Sequence, residues 1–301
     1  MFDYLLQPNS RTYFRTSGDP MTQSIDSTDR NSPDADQHTM NSTTKKILQV
    51  LNGASLLIVI FINYLANTGT FNGTIVGEVS AQYQNYFTPA GYAFSIWGLI
   101  YLGLLAFIAY QGRSLFIKGA DDDIVNQTGW WFLISCLANI LWLLSWLYEY
   151  TGLSVIVMFL LLFSLFRIVV NTRMELYDAP ISRIAFVWWP FSLYSGWVTV
   201  ALITNIAAYL TKIDWQGFGL PEVTWAVIMI LATGLINLLL TWTRNMREFA
   251  LVGVWALIAI AVANWNGPQV IVVFSLAVSG VLFLSSAIHG YINRASSPFK
   301  G

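Results

Sequence analysis

Asparagine and tryptophan lie one helical turn apart at Asn139 and Trp142, inside an apolar stretch of the chain. In a helix, residues at this spacing project from nearly the same face. Trp97, Trp197 and Asn205 lie inside two other apolar stretches. Indole rings offer flat apolar faces and an N–H donor, and a side-chain amide offers directional hydrogen bonds. Such residues facing one another would line an apolar cavity for a planar ligand, with a few polar anchors.

Packing is the alternative explanation for each of these residues taken singly. A lone asparagine inside a membrane commonly joins two helices by a hydrogen bond. Most of the 13 tryptophans lie near the ends of apolar stretches, where the aromatic belt of membrane proteins accounts for them. Four lie a turn or more inside: Trp97, Trp142, Trp197 and Trp255.

Other chemistries lack the residues they need. The apolar stretches hold no Asp, Glu or Lys in their interiors, which argues against an ion-coupled relay and against a retinal Schiff base. His289 could ligate haem iron, but a histidine hydrogen-bonded at the membrane interface is the simpler interpretation. Cys136 is the single cysteine, so no disulfide and no cysteine-built metal site can form within the chain. We therefore expect no catalytic residues, no metal site and no required cofactor, and we do not expect an enzyme.

Composition sets the class of protein. Of the 301 residues, 55% are hydrophobic and 10% charged, against about 25% charged in an average soluble domain. This excludes an ordinary soluble enzyme. The net charge of −1 provides no basic surface, so nucleic acid is not expected as a partner.

Eight apolar stretches are long enough to cross a bilayer as helices, which takes about 20 residues each. They run approximately over residues 47–65, 91–110, 129–148, 152–171, 184–210, 223–243, 249–265 and 270–291. They lack the ten-residue alternation of a membrane β-barrel. The sequence therefore predicts an all-α integral membrane protein with about eight transmembrane helices.

Positive charge predicts the orientation of these helices. With eight spans, 14 of the 15 Lys and Arg residues fall on one side, and only Lys212 falls on the other. Since short cytoplasmic loops retain positive charge, we expect a multi-pass protein with both termini in the cytoplasm, in a bacterial inner membrane. The longest connection on the other side, residues 66–90, should lie over the outer face as a lid or loop.

Three divisions of the chain are expected. Residues 1–46 are polar without an apolar period and are predicted to be a disordered cytoplasmic tail. Residues 47–210 hold the first five stretches. Residues 211–301 hold three additional helices and a short C-terminal tail.

Three segments resemble the TspO/MBR family of tryptophan-rich sensory or translocator proteins. FTPAGYAFSIWGLIY (87–101) is similar to the family's proline- and tryptophan-rich segment on its second helix, although Tyr92 stands where the family has Trp. LANILWLLSW (137–146) resembles Leu-x-Asn-x-x-Trp-x-x-x-Phe, and WPFSLYSGWVTVALITN (189–205) resembles Pro-Tyr-x-x-Trp-Val-x-x-Ala-x-x-x-Asn. The order of the segments on stretches two, three and five matches the family, so residues 47–210 resemble its five-helix bundle.

The resemblance implies a cavity among the helices, closed by the first loop, that binds tetrapyrroles such as haem and protoporphyrin, or sterols in some members. Matching the motifs residue by residue places ligand-binding side chains at nine positions: Tyr92, Trp97, Tyr101, Asn139, Trp142, Trp146, Trp197, Ala201 and Asn205.

The predicted function is therefore binding of a planar hydrophobic ligand, a tetrapyrrole or a sterol-like molecule, in a sensory, carrier or protective role. An uncoupled small-molecule permease and a structural or assembly protein with packing tryptophans are the alternatives. The expected partners are the lipid bilayer and the hydrophobic ligand, and a homodimer is left open.

Overall fold

The computed structural model describes residues 40–292, and this part of the chain is helical, with no β-strand. Each of the eight predicted apolar stretches coincides with a long helix, which confirms the all-α helical bundle. The helices are α1 (Ser42–Ala66), α2 (Ile96–Gly112), α3 (Trp131–Leu147), α4 (Thr151–Asn171), α5 (Trp189–Lys212), α6 (Glu222–Arg244), α7 (Arg247–Ala263) and α8 (Gln269–Ile292).

Six of these helical segments are long and apolar enough to cross a membrane: those containing α1, α2, α4, α5, α6 and α8. Helices α3 and α7 have 17 residues each. At 1.5 Å per residue they are about 25 Å long, slightly less than a hydrocarbon core of roughly 30 Å. The fold is that of a multi-pass integral membrane protein.

Helix α5 lies at the centre of the bundle. It packs against α2, α4 and α7. In its most apolar window 61% of the residues are buried, compared with 28–39% in the other five candidate spans. At Gly196 the backbone of α7 comes so close that a Cβ atom would lie 3.1 Å from the carbonyl oxygen of Phe249. The last three helices therefore pack directly onto the first five.

The first helix begins earlier than predicted. The tail was expected to extend to residue 46, but α1 starts at Ser42. Asn41 caps it, because the Asn41 side-chain oxygen accepts a hydrogen bond of 2.7 Å from the Thr44 N–H. The remainder of the predicted tail, residues 1–39, lies outside the described residues.

Charged side chains cluster at one end of the bundle, hereafter the cationic end. Lys45 Nζ at the start of α1 lies 2.9 Å from Asp122 Oδ1 in the α2–α3 connection. Arg183, before α5, lies 3.8 Å from Asp121. The Arg244 guanidinium at the end of α6 donates to a backbone carbonyl in the last turn of α4. These contacts tie the starts of α1 and α5 to the α2–α3 connection, and the end of α6 to the end of α4.

At the opposite end, residues 67–90 form the connection that we call the lid. It contains a seven-residue helix, Val76–Gln82, where only a lid or loop was expected. The Glu78 carboxylate explains this helix, since it accepts hydrogen bonds from the Ile75 N–H and the Thr74 hydroxyl at the helix start. A 3-10 turn, Gly91–Ser95, then leads into α2.

Candidate functional site

A cluster of aromatic rings centred on Trp97 lies beneath the lid. The Trp97 ring stacks on Tyr101 with centroids 5.4 Å apart and on Trp142 with centroids 6.2 Å apart. Tyr194 and Trp197 meet it edge-on at 5.7 Å and 6.5 Å. The five rings come from α2, α3 and α5 and are called the Trp97 cluster below.

Helical spacing explains why these rings meet. Trp97 and Tyr101 are four residues apart on α2, and Tyr194 and Trp197 are three residues apart on α5, so each pair shares a helix face. Trp142 is held by α5 as well, because its indole N–H donates to Asn205 Oδ1 over 2.9 Å. The cluster is therefore positioned by the α2–α5 and α3–α5 contacts.

Asn205 joins three helices. It accepts from Trp142 of α3, and its Nδ2 donates to the Ser154 hydroxyl of α4 over 2.8 Å. Asn205 and Ser154 are both buried. In a medium without water, this bridge leaves neither polar side chain without a partner.

Asn139 joins three helices in the same way. Its Oδ1 accepts from Asn63 of α1 over 3.1 Å, and its Nδ2 donates to the Tyr194 hydroxyl over 3.0 Å. Asn139 is fully buried and does not line either of the two cavities described next. Its amide stabilises the helix packing around the Trp97 cluster.

The first cavity is small and lies in the interior, between the lid, α2, α3 and α5. Its volume is about 30 Å³, close to the share of one water molecule in the liquid. Indole rings fill most of the space there. The lining residues are Val76, Ser80, Pro89, Phe94, Trp97, Trp142, Trp146, Trp197, Val200, Ala201, Thr204 and Asn205.

The second cavity, about 350 Å³, lies on the other side of the Trp97–Trp142 stack, between α1 and α2, and we call it the lateral cavity. Its walls are mostly apolar or aromatic, with two asparagines and two tyrosines among them. The lining residues are Ile60, Asn63, Tyr64, Asn67, Val76, Phe94, Trp97, Gly98, Tyr101, Trp142 and Leu143.

Hydrogen bonds attach the lid over the interior cavity at two places, the end of α3 and the α3–α4 turn. At the upper end of α3, the Trp146 indole N–H donates to the Val76 carbonyl over 3.2 Å, and Asn72 Nδ2 donates to the Leu147 carbonyl over 2.8 Å. Val76 lines both cavities, so these bonds hold the roof of the site in place.

The second fastening is a polar contact between the lid and the α3–α4 turn. Gln82 Nε2 donates to the Glu149 carboxylate over 3.1 Å, and the Tyr83 hydroxyl donates to the same oxygen. Burial and this hydrogen bond raise the pKa of Tyr83 to about 12, so the hydroxyl remains a donor at neutral pH. Lys212 Nζ lies 3.9 Å from Glu149 and over the Tyr83 ring. We call this group the Glu149 latch.

Comparison with known protein families shows to which family the chain belongs. The profile of one family, described as TSPO-like protein, matches residues 49–288 of this chain. The chain belongs to the TSPO-like protein family. The match continues past residue 210 and through most of α8, whereas the resemblance stated above covered only the first five helices. No curated protein and no solved structure matched the chain.

In this TSPO-like protein, most predicted ligand-binding residues lie at the two cavities. Seven of the nine line at least one of them: Trp97, Tyr101, Trp142, Trp146, Trp197, Ala201 and Asn205. Whether these seven bind a ligand stays a prediction. The other two are Asn139, which lies behind the cluster, and Tyr92.

Tyr92 lies away from both cavities. It is 42% exposed, and its ring meets Trp255 of α7 edge-on at 5.3 Å. The 3-10 turn at Gly91–Ser95 accounts for this position, because the turn directs Tyr92 outward from the bundle while Phe94 lines the cavities. The Trp255 indole N–H donates to the Ala93 carbonyl of the same turn, so α7 supports the segment that carries Trp97.

Sequence reasoning missed the contribution of α1 to the site. Asn63, Tyr64 and Asn67 line the lateral cavity, as does Gly98 on the facing side of α2. Asn63 and Asn67 are four residues apart near the end of an apolar stretch, and this polar pair on one helix face was the available signal.

Proposed function

We propose that this TSPO-like protein binds a planar hydrophobic ligand, a tetrapyrrole or a sterol-like molecule, in the lateral cavity and serves a sensory, carrier or protective role. The supporting observation is the row of rings Tyr101, Trp97 and Trp142 at the edge of that cavity. The Trp97 plane is tilted by only 22° from Tyr101 and by 29° from Trp142. Rings stacked on one another form a rigid aromatic wall, and the edges of that wall can meet the face of a flat ligand in edge-to-face geometry.

The volume of the lateral cavity fits such a role. Cavities that take drug-sized ligands are about 300–1,000 Å³, are mostly apolar and hold a few polar groups that orient the ligand. The lateral cavity, at about 350 Å³, reaches this range, whereas the interior cavity does not. A ligand in the interior cavity would have to displace indole rings that already pack against one another.

We further propose that the cationic end faces the cytoplasm. The support is the contact of Lys45, Arg183 and Arg244 with the same end of the bundle, together with the retention of positive charge in cytoplasmic loops. The lid would then face the opposite compartment.

Titration with protoporphyrin tests the proposed binding. The parent protein, reconstituted in nanodiscs, should show saturable one-site quenching of tryptophan fluorescence. Trp97→Ala removes the central stacking surface and should weaken binding by about ten- to a hundredfold, as expected when a large aromatic contact is lost. The porphyrin's own absorbance provides a readout that does not depend on tryptophan.

Trp265 provides the matched control, because it is 62% exposed and lines neither cavity. Trp265→Ala should bind protoporphyrin as the parent does. If Trp97→Ala remains monodisperse and also binds with parental affinity, the Trp97 cluster serves packing alone and the proposal is wrong.

A further inference from the structure

The lateral cavity opens toward the lipid. On α1, Tyr64 is 65% exposed at its mouth, next to the exposed apolar side chains of Leu57 and Phe61. On α2, Gly98 at the mouth is flanked by exposed Leu99 and Leu102. Large apolar side chains on a membrane helix face hydrocarbon, so the opening between α1 and α2 lies in the bilayer.

Access from the water above the lid is obstructed. The lid is attached to α3 through Trp146 and Asn72 and to the α3–α4 turn through the Glu149 latch. Phe87, in the part of the lid nearest α2, is fully buried. A molecule reaching the lateral cavity from this side would have to break several of these bonds, whereas entry from the bilayer requires none to break.

The walls of the lateral cavity carry no formal charge. Among residues 40–292, its lining includes no Lys, Arg, His, Asp or Glu, and neither does the lining of the interior cavity. The one positive charge described at this end, Lys212, donates to the Glu149 carbonyl and lies within ion-pair distance of its carboxylate. A ligand carboxylate placed in the cavity would therefore lose its hydration without gaining a cationic partner, which costs several kcal/mol.

Uncharged hydrogen-bonding groups are present instead. The Tyr101 hydroxyl is buried near the Asn139 amide and makes no hydrogen bond of normal geometry in the described part of the chain. Asn63 and Asn67 line the cavity from α1. Asn63 Nδ2 already donates to Asn139 and to the Val59 carbonyl, so Asn63 offers its Oδ1 as an acceptor. A hydroxyl or carbonyl group can be both held by an amide and paired with a phenol, so these side chains suit a neutral polar group.

We propose that the lateral cavity selects a neutral amphiphile taken up from the bilayer, with its flat body against Trp97 and a hydroxyl, carbonyl or ester group near Tyr101 and the α1 asparagines. This rests on the proposed function and narrows its ligand class: a flat molecule without free carboxylates is preferred over an anionic one. The α1–α2 opening is its route of entry.

Two forms of one porphyrin test the charge preference. Protoporphyrin IX carries two free carboxylates, and its dimethyl ester has the same ring without them. In nanodiscs, with affinities expressed per mole fraction of probe in the lipid, the ester should bind at least tenfold more tightly than the diacid. Equal or tighter binding of the diacid would overturn the inference but not the proposed function. Absence of saturable binding by both probes would overturn the proposed function itself.

A positive charge placed at the mouth should narrow the ratio of ester affinity to diacid affinity. Tyr64→Lys places a flexible cation at an exposed position beside the cavity, so diacid binding should rise to within about threefold of ester binding. Tyr64→Gln is the matched variant, since it changes polarity without adding charge and should not narrow the ratio. If both variants narrow the ratio equally, charge is not the selecting property and the inference fails.

Filling the opening tests the route. A Cβ atom at Gly98 would meet nothing within 4 Å, so Gly98→Leu can project into the lateral cavity without disturbing its neighbours. This variant should lose ester binding by at least tenfold. Gly280→Leu on α8 is the control, because Gly280 is equally open and lies outside both cavities. Parental ester binding by a folded Gly98→Leu variant would rule out both the lateral site and its route.

Discussion

Three glycines, one among the five helices around the cavities and two among the three helices that follow, serve different purposes. At Gly98 on α2, a Cβ atom would meet open space beside the lateral cavity. At Gly253 on α7, a Cβ atom would lie 2.7–2.8 Å from the side-chain amide of Asn237 on α6. At Gly234 on α6, it would lie 2.6 Å from Val278 on α8. Gly98 thus leaves volume free beside the lateral cavity, whereas Gly234 and Gly253 make room for a side chain of the neighbouring helix.

The buried asparagines of the two regions also differ in the hydrogen bonds that they make between helices. In α1–α5, Asn139 and Asn205 each join three helices by hydrogen bonds. In α6–α8, Asn237 donates only to the Thr233 carbonyl of its own helix, and its Oδ1 has no partner within residues 40–292. In the second region the Trp242 N–H donates to the Ser285 hydroxyl of α8 over 2.8 Å, so one bond of this kind adds to its close packing. The buried amides of the first region hold its helices around a space. A cavity needs such directional bonds, because the side chains of its walls do not touch one another across the open space.

Gly253→Val should have the largest effect on folding. The new side chain would collide with Asn237, which is buried and cannot move without breaking its bond to Thr233. Overpacking and a broken bond together should cost about 3 kcal/mol or more. Thermal unfolding in detergent measures this, with Gly280→Val as the control that should stay near the parent. A parental unfolding temperature for Gly253→Val would show that α6 and α7 are not in close contact.

The two asparagines of the comparison should respond differently to leucine. Asn205→Leu leaves the Trp142 N–H and the Ser154 hydroxyl without their shared partner, which should cost about 1–3 kcal/mol. Asn237→Leu removes only a bond within one helix and should change stability by roughly 0.5 kcal/mol or less. Denaturation of the two variants side by side measures the contrast. Equal losses would contradict the view that directional bonds are concentrated in the first region.

The two regions meet at the cationic end, where pH should affect the stability of the folded chain. Burial, together with the nearby Glu248 carboxylate, raises the pKa of Glu175 from 4.5 to about 8, while Arg247 opposes this. Glu175 lies in the α4–α5 connection, and both neighbours lie at the start of α7. Between about pH 4.5 and 8 the folded chain therefore holds a proton that the unfolded chain has lost, so stability should fall as pH rises through this window.

Glu175→Gln should remove this dependence. The variant should be more stable than the parent at pH 8 by a few kcal/mol, because each unit of pKa difference corresponds to about 1.4 kcal/mol, and should come close to the parent near pH 5. Thermal unfolding over pH 5–8 measures the difference. A constant offset at every pH would show that the substitution acts through packing and not through the proton on Glu175.

The helices of this protein were predictable because an apolar run of about 20 residues has few other structures open to it in a membrane. The meeting of Trp97, Trp142 and Trp197 followed from the resemblance and from the 3.6-residue repeat. Neither the resemblance nor the repeat determines the angle between α1 and α2. That angle depends on packing along both helices, so the lateral cavity could not be predicted, although Asn63 and Asn67 marked a polar face on α1. The position of Tyr92 likewise depends on the 3-10 turn at Gly91–Ser95, which no residue pattern predicted.

Helices α1 and α2 are joined at one end and apart at the other. Near the cationic end, Gln49 donates to the Gln111 carbonyl, and Asn52 Nδ2 donates to Gln111 Oε1 over 3.1 Å. From Asn52 to Asn67, at the cavity mouth, the helix rises by about 22 Å. A rotation of either helix by about 5° about the joined end would move its lid-side end, called its tip, by roughly 2 Å over this length. Such leverage would widen the mouth, and the Asn63–Asn139 hydrogen bond, which ties the tip of α1 to α3, would resist it.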